Sequence, residues 1–471
     1  MKKPLGIVLM FALCLFGASC GSSSNSSTST STPQSAQPGN VFVTGEDAPL
    51  ASVVGFDVTI NSITLIGQNS SSQVLSTATT VDFARLLGLR SPLGFNSVPA
   101  GTYTSATFSL SNPVISYVQL NPTPALSTIN GTFSPTTNSP TQTTVTVNFP
   151  TPMVVSSNGL AGLKMDFDIR QSVAVDGSGN VTGAVNPTIY VKAVQAGDPG
   201  AQVTDLTGGL VSVNASGDSF VIQGPYGHQL TVDVNSSTQF NSGWNINNLA
   251  TPAIVGVQGQ YQANGTLIAS GVEVITTSQS FISGRVLQVT ANGSGQAQQI
   301  IMWVGETGAD MVSDVDTIQT VDVSAISNSS YDICFFNGGL TQYLFNNTSV
   351  VVGQRIFVGG SFSNSTFTPS MISLRLQGVY GTFVPGSVTV TDNNAGSFQI
   401  SNNGLVGYSA GGPVTVNTFN FTYFYNLNGL GQLQTTTTAL PLVTGGLFLK
   451  DPISGNPELY VGVVTDPPQN N

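Results

Sequence analysis

The sequence predicts an all-β protein built from several small modules. Short runs alternate apolar and polar residues, as at residues 56–60, 145–149 and 230–234, and this period of two is typical of half-buried strands. Gly, Asn and Pro interrupt the runs at the intervals expected of turns between short strands. Only 7% of the residues are charged, whereas Gly, Ser, Thr and Asn abound. The apolar spacing predicts a helix only at residues 81–89.

The first twenty residues have the parts of an export signal. Basic residues 2–3 precede an apolar run at residues 5–16, which is shorter than the roughly 20 residues of a membrane-spanning helix. The ending FGASC at residues 16–20 resembles the lipobox of bacterial lipoproteins. This resemblance implies cleavage after residue 19 and attachment of lipid to Cys20. An ordinary secretory signal or an uncleaved anchor is the alternative.

A polar segment follows the signal. Residues 21–40 carry Ser, Thr, Asn, Gly, Gln, Pro and Ala, and no large apolar side chain. Such a segment cannot bury enough surface to offset its ordering entropy, so residues 20–40 are predicted to be a lipidated, disordered tether. Gly21 stands where enteric lipoproteins of the inner membrane carry Asp. We therefore expect an extracytoplasmic protein at the outer membrane or cell surface.

Composition excludes several classes of partner and site. The chain has 11 basic and 22 acidic side chains, and this balance argues against nucleic acid, whose binding needs clustered Lys and Arg. Cys334 is the only thiol beyond the signal region, so no internal disulfide is expected. A structural zinc site is disfavoured as well, because the chain has one His.

Residues 41–197 form the first predicted domain. Its recurring motifs are DAP at residues 47–49, PAGTY at 99–103, KMDFD at 164–168 and PTIYV at 187–191. Their order resembles the bacterial family called domain of unknown function 4382. The resemblance implies an immunoglobulin-like or transthyretin-like sandwich and no known activity.

The remaining chain is predicted to form two or three small β-barrel modules. The predicted boundaries are residues 203–277, residues 280–377 with an insertion near 305–339, and a diverged module at residues 379–465. The first of these stretches closely resembles domain of unknown function 5666. That resemblance implies a five- or six-stranded barrel of the oligonucleotide/oligosaccharide-binding type, and the later stretches resemble it in outline.

One sequence motif raises the question of catalysis. Residues 407–411 match the G-x-S-x-G pattern that presents a nucleophilic Ser, here Ser409. The only His, His228, lies upstream of Ser409, whereas hydrolases with this motif place it last. The sequence predicts no helix after Ser409. We therefore expect no enzymatic activity, and a hydrolase remains the remote alternative.

Clustered carboxylates are interpreted as structural. Residues 176–180 and 310–316 offer oxygen ligands without the order of an EF-hand, so calcium is disfavoured and no cofactor is expected. Asp166 and Asp168 share one strand face, as a glycosidase pair would. We interpret them as two acids on the solvent side of the strand.

Aromatic side chains offer candidate surfaces for sugars. Trp244 and Trp303 are weak candidates for glycan stacking, together with Tyr261, Tyr343 and residues 419–425. Aromatic residues in small β modules more often belong to the core, because each buries a large apolar area.

These observations favour a non-catalytic, lipid-anchored protein of the cell envelope with a structural or adhesive role. A surface protein that binds glycan or polysaccharide is the alternative. The expected partners are membrane lipid through Cys20 and either an envelope polysaccharide or another surface protein.

Overall fold

The computed structural model describes most of the chain beyond the predicted tether. The described residues are 37–48, 53–68, 70–86, 91–120, 123–134, 139–177, 180–198, 201–223, 229–278, 280–335, 340, 343–401, 404–405, 408 and 412–466. About 62% of the structure is strand and 7% is helix, which confirms the all-β prediction. Among the described residues, every helix is too short or too polar to serve as a membrane span.

The N-terminal part, residues 39–195, is a β-sandwich. Its strands are β1 (Gly39–Ala48), β2 (Val53–Gly67), β3 (Ser71–Leu75), β4 (Thr79–Asp82), β5 (Ser91–Val98), β6 (Gly101–Gln119), β7 (Ala125–Asn130), β8 (Thr132–Phe133), β9 (Gln142–Val155), β10 (Leu160–Asp168), β11 (Val173–Val175), β12 (Val181–Val185) and β13 (Ile189–Gln195). One sheet has the order β13-β10-β1-β5, and a second is built on β2 and β6, which carry β3, β4, β7 and β9. A small third sheet has the order β11-β12-β8.

The core of the sandwich follows the alternation in its sequence. In β2, Val58, Ile60, Ile63 and Leu65 are buried, because successive strand residues point to opposite faces and only one face meets the other sheet. Phe167 of β10 packs against the buried rings of the sandwich. Full burial of each such side chain contributes about 1.5–3 kcal/mol.

The helix predicted at residues 81–89 is wrong at residues 81–82, and residues 87–89 lie outside the described residues. Val81 and Asp82 belong to β4, and a 3-10 helix covers only Phe83–Leu86. The Asp82 carboxylate accepts hydrogen bonds from the backbone N–H groups of Phe56 and Ala84, which fixes this segment against β2. Helix α1 (Ile169–Ser172), which the spacing did not predict, begins where the Asp168 carboxylate accepts a hydrogen bond from Gln171 N.

Residues 203–276 form barrel 1. Its strands are β14 (Val203–Asn214), β15 (Ser219–Gln223), β16 (Gln229–Asp233), β17 (Gln239–Phe240), β18 (Ile254–Tyr261) and β19 (Leu267–Thr276), with a 3-10 helix at Ala215–Gly217. The ladder runs from β14 through β15 and β16 to β19, and returns through β18 to β14. Because β16 pairs in parallel with β19, five strands close into a barrel.

Residues 280–374 form a six-stranded sheet with the strand order of barrel 1, which we call barrel 2, although no ladder among the described residues closes it. Its strands are β20 (Ser280–Ala291), β21 (Ala297–Thr307), β22 (Thr317–Asp322), β23 (Tyr331–Ile333), β24 (Arg355–Ser363) and β25 (Thr366–Leu374), with 3-10 helices at Ala309–Asp314 and Asn328–Ser330. The stretch predicted as an insertion covers residues 305–339, of which 336–339 lie outside the described residues. It contains β22 and β23, which belong to the sheet.

Residues 377–465 form barrel 3. Its strands are β26 (Gln377–Phe383), β27 (Thr389–Asp392), β28 (Ala395–Ser401), β29 (Val414–Thr418), β30 (Tyr423–Tyr425), β31 (Pro441–Lys450) and β32 (Pro457–Thr465), and helix α2 spans Leu430–Thr435. Strand β26 pairs with both β28 and β31, and β29 pairs in parallel with β32. These ladders close five main strands into a barrel, namely β26, β28, β29, β31 and β32.

The three barrels share one strand order. In each, the first main strand pairs with the second and the fourth, the second pairs with the third, and the fourth pairs with the fifth. A short strand after the third pairs in parallel with the fifth, namely β17, β23 and β30. The shared order supports the proposal that the second and third stretches repeat the architecture of the first.

Buried contacts join consecutive parts of the chain. Tyr261 of barrel 1 stacks on Phe42 of the sandwich, with ring centroids 5.2 Å apart. Barrel 1 meets barrel 2 through a buried ion pair between Glu273 and Arg375. Barrel 2 meets barrel 3 where Gln354 donates a hydrogen bond to the carbonyl oxygen of Phe448.

The sandwich also contacts the parts that follow barrel 1. Val54 and Val118 of the sandwich share an apolar cluster with Leu287 and Trp303 of barrel 2. The guanidinium of Arg170 lies over the ring of Tyr380 in barrel 3, 4.5 Å from its centroid. The sandwich therefore touches all three barrels.

Candidate functional site

Several predicted residues lie outside the described residues. They are Cys20 with its signal and most of the tether, His228, and Ser409 with most of its motif. The prediction of lipidation at Cys20 and the expectation that Ser409 is not catalytic stay predictions.

Trp303 is a packing residue in this structure. Its side chain is 4% exposed and lies in the cluster that joins the sandwich to barrel 2. Among the described residues its indole Nε1 has no hydrogen-bond partner. A ring enclosed in this way presents no face to a sugar, so the burial of Trp303 argues against the predicted stacking role.

Trp244 is half-buried. It packs against the core cluster of barrel 1, and its backbone N–H donates a hydrogen bond to Asn241 O in the turn after β17. Tyr261 and Tyr343, the other single aromatic candidates, are engaged in ring contacts with Phe42 and Tyr460. Of these candidates, Trp244 keeps part of its ring accessible without a described ring partner.

The carboxylates predicted to lie on the solvent side of β10 differ in burial. Asp168 is 2% exposed and caps α1, which corrects the prediction for this residue. Its carboxylate accepts hydrogen bonds from the backbone and side-chain nitrogens of Gln171. Asp166 is half-buried. The position of Asp168 at the start of a helix explains its burial, since an N-cap carboxylate satisfies free backbone donors.

The segments considered for calcium use their carboxylates within the protein. Asp176 accepts hydrogen bonds from Asn180 across the turn between β11 and β12. Asp310 accepts from Ser280 Oγ, and Asp314 accepts from Gln319 Nε2. No group of three or more acidic, His or Cys residues suited to a metal ion occurs among the described residues.

The strongest candidate surface is a row of four aromatic rings in barrel 3. We call Phe419, Phe421, Tyr423 and Tyr425 the aromatic row. Phe421 is 50% exposed and Tyr423 is 47% exposed. The rings of Phe419 and Phe421 stack at 5.0 Å and 4°, and those of Tyr423 and Tyr425 meet edge to face at 4.4 Å.

The turn before β30 holds the row in place. Thr422 is 3% exposed, and its hydroxyl donates a hydrogen bond to Val461 O while accepting one from Phe419 N. Strand β30 then pairs in parallel with β32. Thr422 is buried, whereas its neighbours Phe421, in the turn, and Tyr423, at the start of β30, are exposed.

Polar groups flank the row. Asn420 donates a hydrogen bond from Nδ2 to the Asp392 carboxylate, and Asn426 donates from Nδ2 to Asp466 O. Lys164 of the sandwich lies 6.0 Å from the centroid of the Tyr425 ring. The surface thus combines apolar ring faces with amide and carboxylate groups, the two kinds of contact that the C–H faces and hydroxyl groups of a sugar require.

A second cluster of charged groups lies where the sandwich meets barrel 2. Asp82 is 1% exposed, and its Oδ2 accepts a hydrogen bond from Arg85 Nε at 2.8 Å. Asp316 of barrel 2 places Oδ1 3.7 Å from Arg85 Nη2. Burial, the Asp82 and Asp316 carboxylates together raise the pKa of Asp57 to about 7, against an opposing effect of Arg85.

Two stretches of the chain match known families. Residues 39–182 match the family described as Domain of unknown function (DUF4382), and residues 208–273 match Domain of unknown function (DUF5666). These matches confirm the two resemblances that the sequence motifs indicated. No curated protein matches the chain.

The two matches divide the candidate residues. Asp57, Asp82 and Arg85 lie in the stretch that matches DUF4382, and Trp244 lies in the stretch that matches DUF5666. The aromatic row lies beyond both stretches. Its structural signal is the exposure of Phe421 and Tyr423 on either side of buried Thr422, and the sequence shows only a cluster of aromatic residues at 419–425.

Proposed function

We propose that this chain is a non-catalytic, lipid-anchored protein of the cell envelope that adheres to polysaccharide through the aromatic row. The observation that carries the proposal is the exposure of Phe421 and Tyr423 in barrel 3, where each is in ring contact with a second aromatic residue, Phe419 and Tyr425 respectively. Clustered large apolar side chains at a surface mark an interaction site more often than scattered ones do.

The chemistry of the row favours a neutral sugar chain. The exposed ring faces supply apolar contact, and Asn420 and Asn426 lie beside them with amide groups. Of the described residues, one cation, Lys164, lies near the row, at 6.0 Å from the Tyr425 centroid, whereas Asp392 accepts a hydrogen bond from Asn420. Because a carboxylate lies at the rim and the chain carries a net charge of −11, an uncharged polysaccharide is favoured over a polyanion.

The anchor is part of the proposal. A lipid on Cys20 holds the folded part at the membrane surface, since several acyl chains on one residue give stable attachment. We expect Cys20→Ser to move the protein from the detergent-requiring membrane fraction to the soluble fraction, with fractionation of cell extracts as the measurement. A variant that still requires detergent would rule out lipidation as the anchor.

Binding is tested with the purified full chain in detergent against an array of polysaccharides. We expect retention on at least one neutral polysaccharide, and loss of retention in the double variant Phe421→Ala/Tyr423→Ala. Ile453→Ala is the matched control, because Ile453 is an apolar residue of the same barrel and is 95% exposed. Retention of the double variant equal to that of the wild type would overturn the role of the row.

A structural role is the second candidate function. The buried ion pair between Glu273 and Arg375 and the stacked rings of Phe42 and Tyr261 favour it, because they join separate β units into a firm body. The two functions differ in one outcome. A structural protein would bind none of the polysaccharides, and its removal would change the envelope itself.

A further inference from the structure

The joint between the sandwich and barrel 2 has an apolar part and a charged part side by side. The apolar part is the cluster of Val54, Val118, Leu287 and Trp303, against which Ile318 packs. The charged part lies next to the apolar part in sequence on both sides. Asp57 follows Val54 by three residues in β2, and Asp316 precedes Ile318 by two residues. Opening the charged part would therefore also disturb the packing of Trp303.

Four ionisable side chains form the charged part. Asp57 lies opposite Asp82 in the pairing of β2 with β4. Arg85 donates a hydrogen bond to Asp82 and lies 3.7 Å from Asp316. These groups, Asp82, Asp316 and Arg85, are the ones that act on Asp57 from the neighbouring elements. Three carboxyl groups thus face one guanidinium.

The backbone of Asp316 is fixed within barrel 2, next to β21. It adopts a left-handed conformation with φ of 56°, and its N–H donates a hydrogen bond to Val304 O at 2.8 Å. Its Oδ1 is buried and, among the described residues, accepts no hydrogen bond. Gly55 of β2 lies next to this oxygen, since a Cβ built at Gly55 would be in ordinary van der Waals contact with it at 3.6 Å.

One guanidinium cannot neutralise three carboxylates in a partly buried place. Arg85 bonds directly to Asp82, so it offers the remaining carboxyl groups only a longer-range attraction. Burial and the neighbouring carboxylates raise the pKa of Asp57 to about 7, and burial followed by Asp82 raises the pKa of Asp316. Protonation relieves the repulsion, because like charges at close range disfavour the charged form.

We propose that this carboxyl cluster makes the joint between the sandwich and barrel 2 responsive to pH, so that the joint is tight in mildly acidic surroundings and loosens in alkaline ones. The responsive element is the contact of β2 with the segment around Asp316. An envelope protein outside the inner membrane is exposed to the external pH. The packing of such a joint would therefore change with that pH.

The direction follows from linkage. The Asp316 carboxylate acts on Asp57 from barrel 2 and is one of the groups that raise the pKa of Asp57 above its ordinary 3.8, so Asp57 binds its proton more tightly in the closed joint than in the open one. The contribution of Asp57 to the stability of the joint is therefore full at acidic pH. It decreases as pH rises from about 4 to about 7 and stays low above that range.

Trp303 serves as a built-in reporter of the joint. The chain has two Trp residues, so Trp244→Phe leaves Trp303 as the only source of Trp emission. With the full chain in detergent, we expect acrylamide quenching of Trp303 to rise about twofold between about pH 5 and about pH 8 as the joint loosens. Its emission is expected to shift to longer wavelength over the same range.

Charge variants separate the cluster from other titrating groups. In the Trp244→Phe background, Asp57→Asn mimics the protonated carboxyl and is expected to keep quenching low at both pH values. Asp316→Asn is a second variant, at a half-buried loop position, and is expected to reduce the pH dependence in the same direction. Asp218→Asn removes an exposed carboxylate of barrel 1 and is expected to leave the pH dependence of Trp303 quenching unchanged.

Two results would overturn the proposal. One is quenching of Trp303 that does not change between the two pH values in the Trp244→Phe chain. The other is a full pH dependence that persists in both Asp57→Asn and Asp316→Asn. Neither result bears on polysaccharide binding, because the cluster and the aromatic row are tested by separate readouts.

Discussion

The buried ion pair between Glu273 and Arg375 affects the stability of the contact between barrel 1 and barrel 2. Arg375 Nη1 lies 2.8 Å from Glu273 Oε2, and the two side chains are 2% and 5% exposed. Glu273 Oε1 also accepts a hydrogen bond from Phe335 N. In a buried pair of this kind, the cost of removing both charges from water offsets most of their attraction. Removal of one partner leaves an uncompensated buried charge.

We therefore expect Arg375→Met to lower the free energy of unfolding by about 3–5 kcal/mol. The double variant Glu273→Leu/Arg375→Met is expected to lose clearly less, because it leaves no buried charge. Chemical denaturation of both variants and the wild type measures the difference. Equal losses in the single and double variants would contradict the account of this pair.

Burial separates two aromatic residues that the sequence presents as candidates for glycan stacking. Trp303 lies in an apolar run of β21, and Phe421 lies in an aromatic cluster just before β30. Trp303 is enclosed by residues of the sandwich, which are distant in sequence, whereas Phe421 has no such cover and is 50% exposed. A local pattern predicts which strand face a residue occupies, and contacts between distant segments decide whether that face meets solvent.

Glycines at one position recur in the fourth main strand of each barrel. Gly259, Gly360 and Gly446 each lie at a register shift against the fifth strand. A Cβ at any of them would clash with a carbonyl oxygen of that strand, from Ile268, Thr368 and Tyr460 respectively. A glycine at a bulge permits this close approach of two backbones, and the bulge increases local twist and bends the strand.

We predict that Gly446→Ala destabilises barrel 3 by about 1–3 kcal/mol, because backbone rather than a flexible side chain would have to move. Gly462→Ala is the matched control: Gly462 lies in the neighbouring β32, and a Cβ there would meet nothing within 4 Å. Thermal denaturation of the two variants measures the effect. A control variant that is destabilised as much as Gly446→Ala would contradict the role of the bulge.

The alternation of apolar and polar residues predicts the strands that have a regular buried face. It misses the strands that bury few residues. Strand β2 has buried residues in alternation along most of its length, and the sequence indicated it over residues 56–65. Strand β22 buries only Val321 fully, so its sequence lacked a readable period and was interpreted as an insertion. Helix α2 has two buried residues, Leu430 and Leu433, too few for a helical pattern.

The family matches and the strand orders together describe a protein of one sandwich and three related barrels. Residues Gln37–Asn471 form one compact unit. Contacts such as Arg170 with Tyr380 join parts that are far apart in sequence. An adhesive surface on barrel 3 would consequently be carried by the complete folded body, and the pH-responsive joint lies inside the same body.

The candidate surface was only partly predictable from sequence. The sequence shows an aromatic cluster at residues 419–425. It indicates Trp244 and Trp303 as the first stacking candidates, however. Nothing local to Phe421 indicates that Thr422 is anchored to Val461 O while its neighbours are exposed. That anchor depends on the pairing of β30 with β32, which brings together residues about forty positions apart.

The most direct measurement is the affinity of the full chain for the polysaccharide that it retains, compared between Phe421→Ala and Ile453→Ala. We expect Phe421→Ala to weaken binding about tenfold, the loss of one aromatic contact of roughly 1.4 kcal/mol, and Ile453→Ala to bind as the wild type does. Circular dichroism should show both variants folded. A folded Phe421→Ala variant with wild-type affinity would contradict adhesion through the aromatic row.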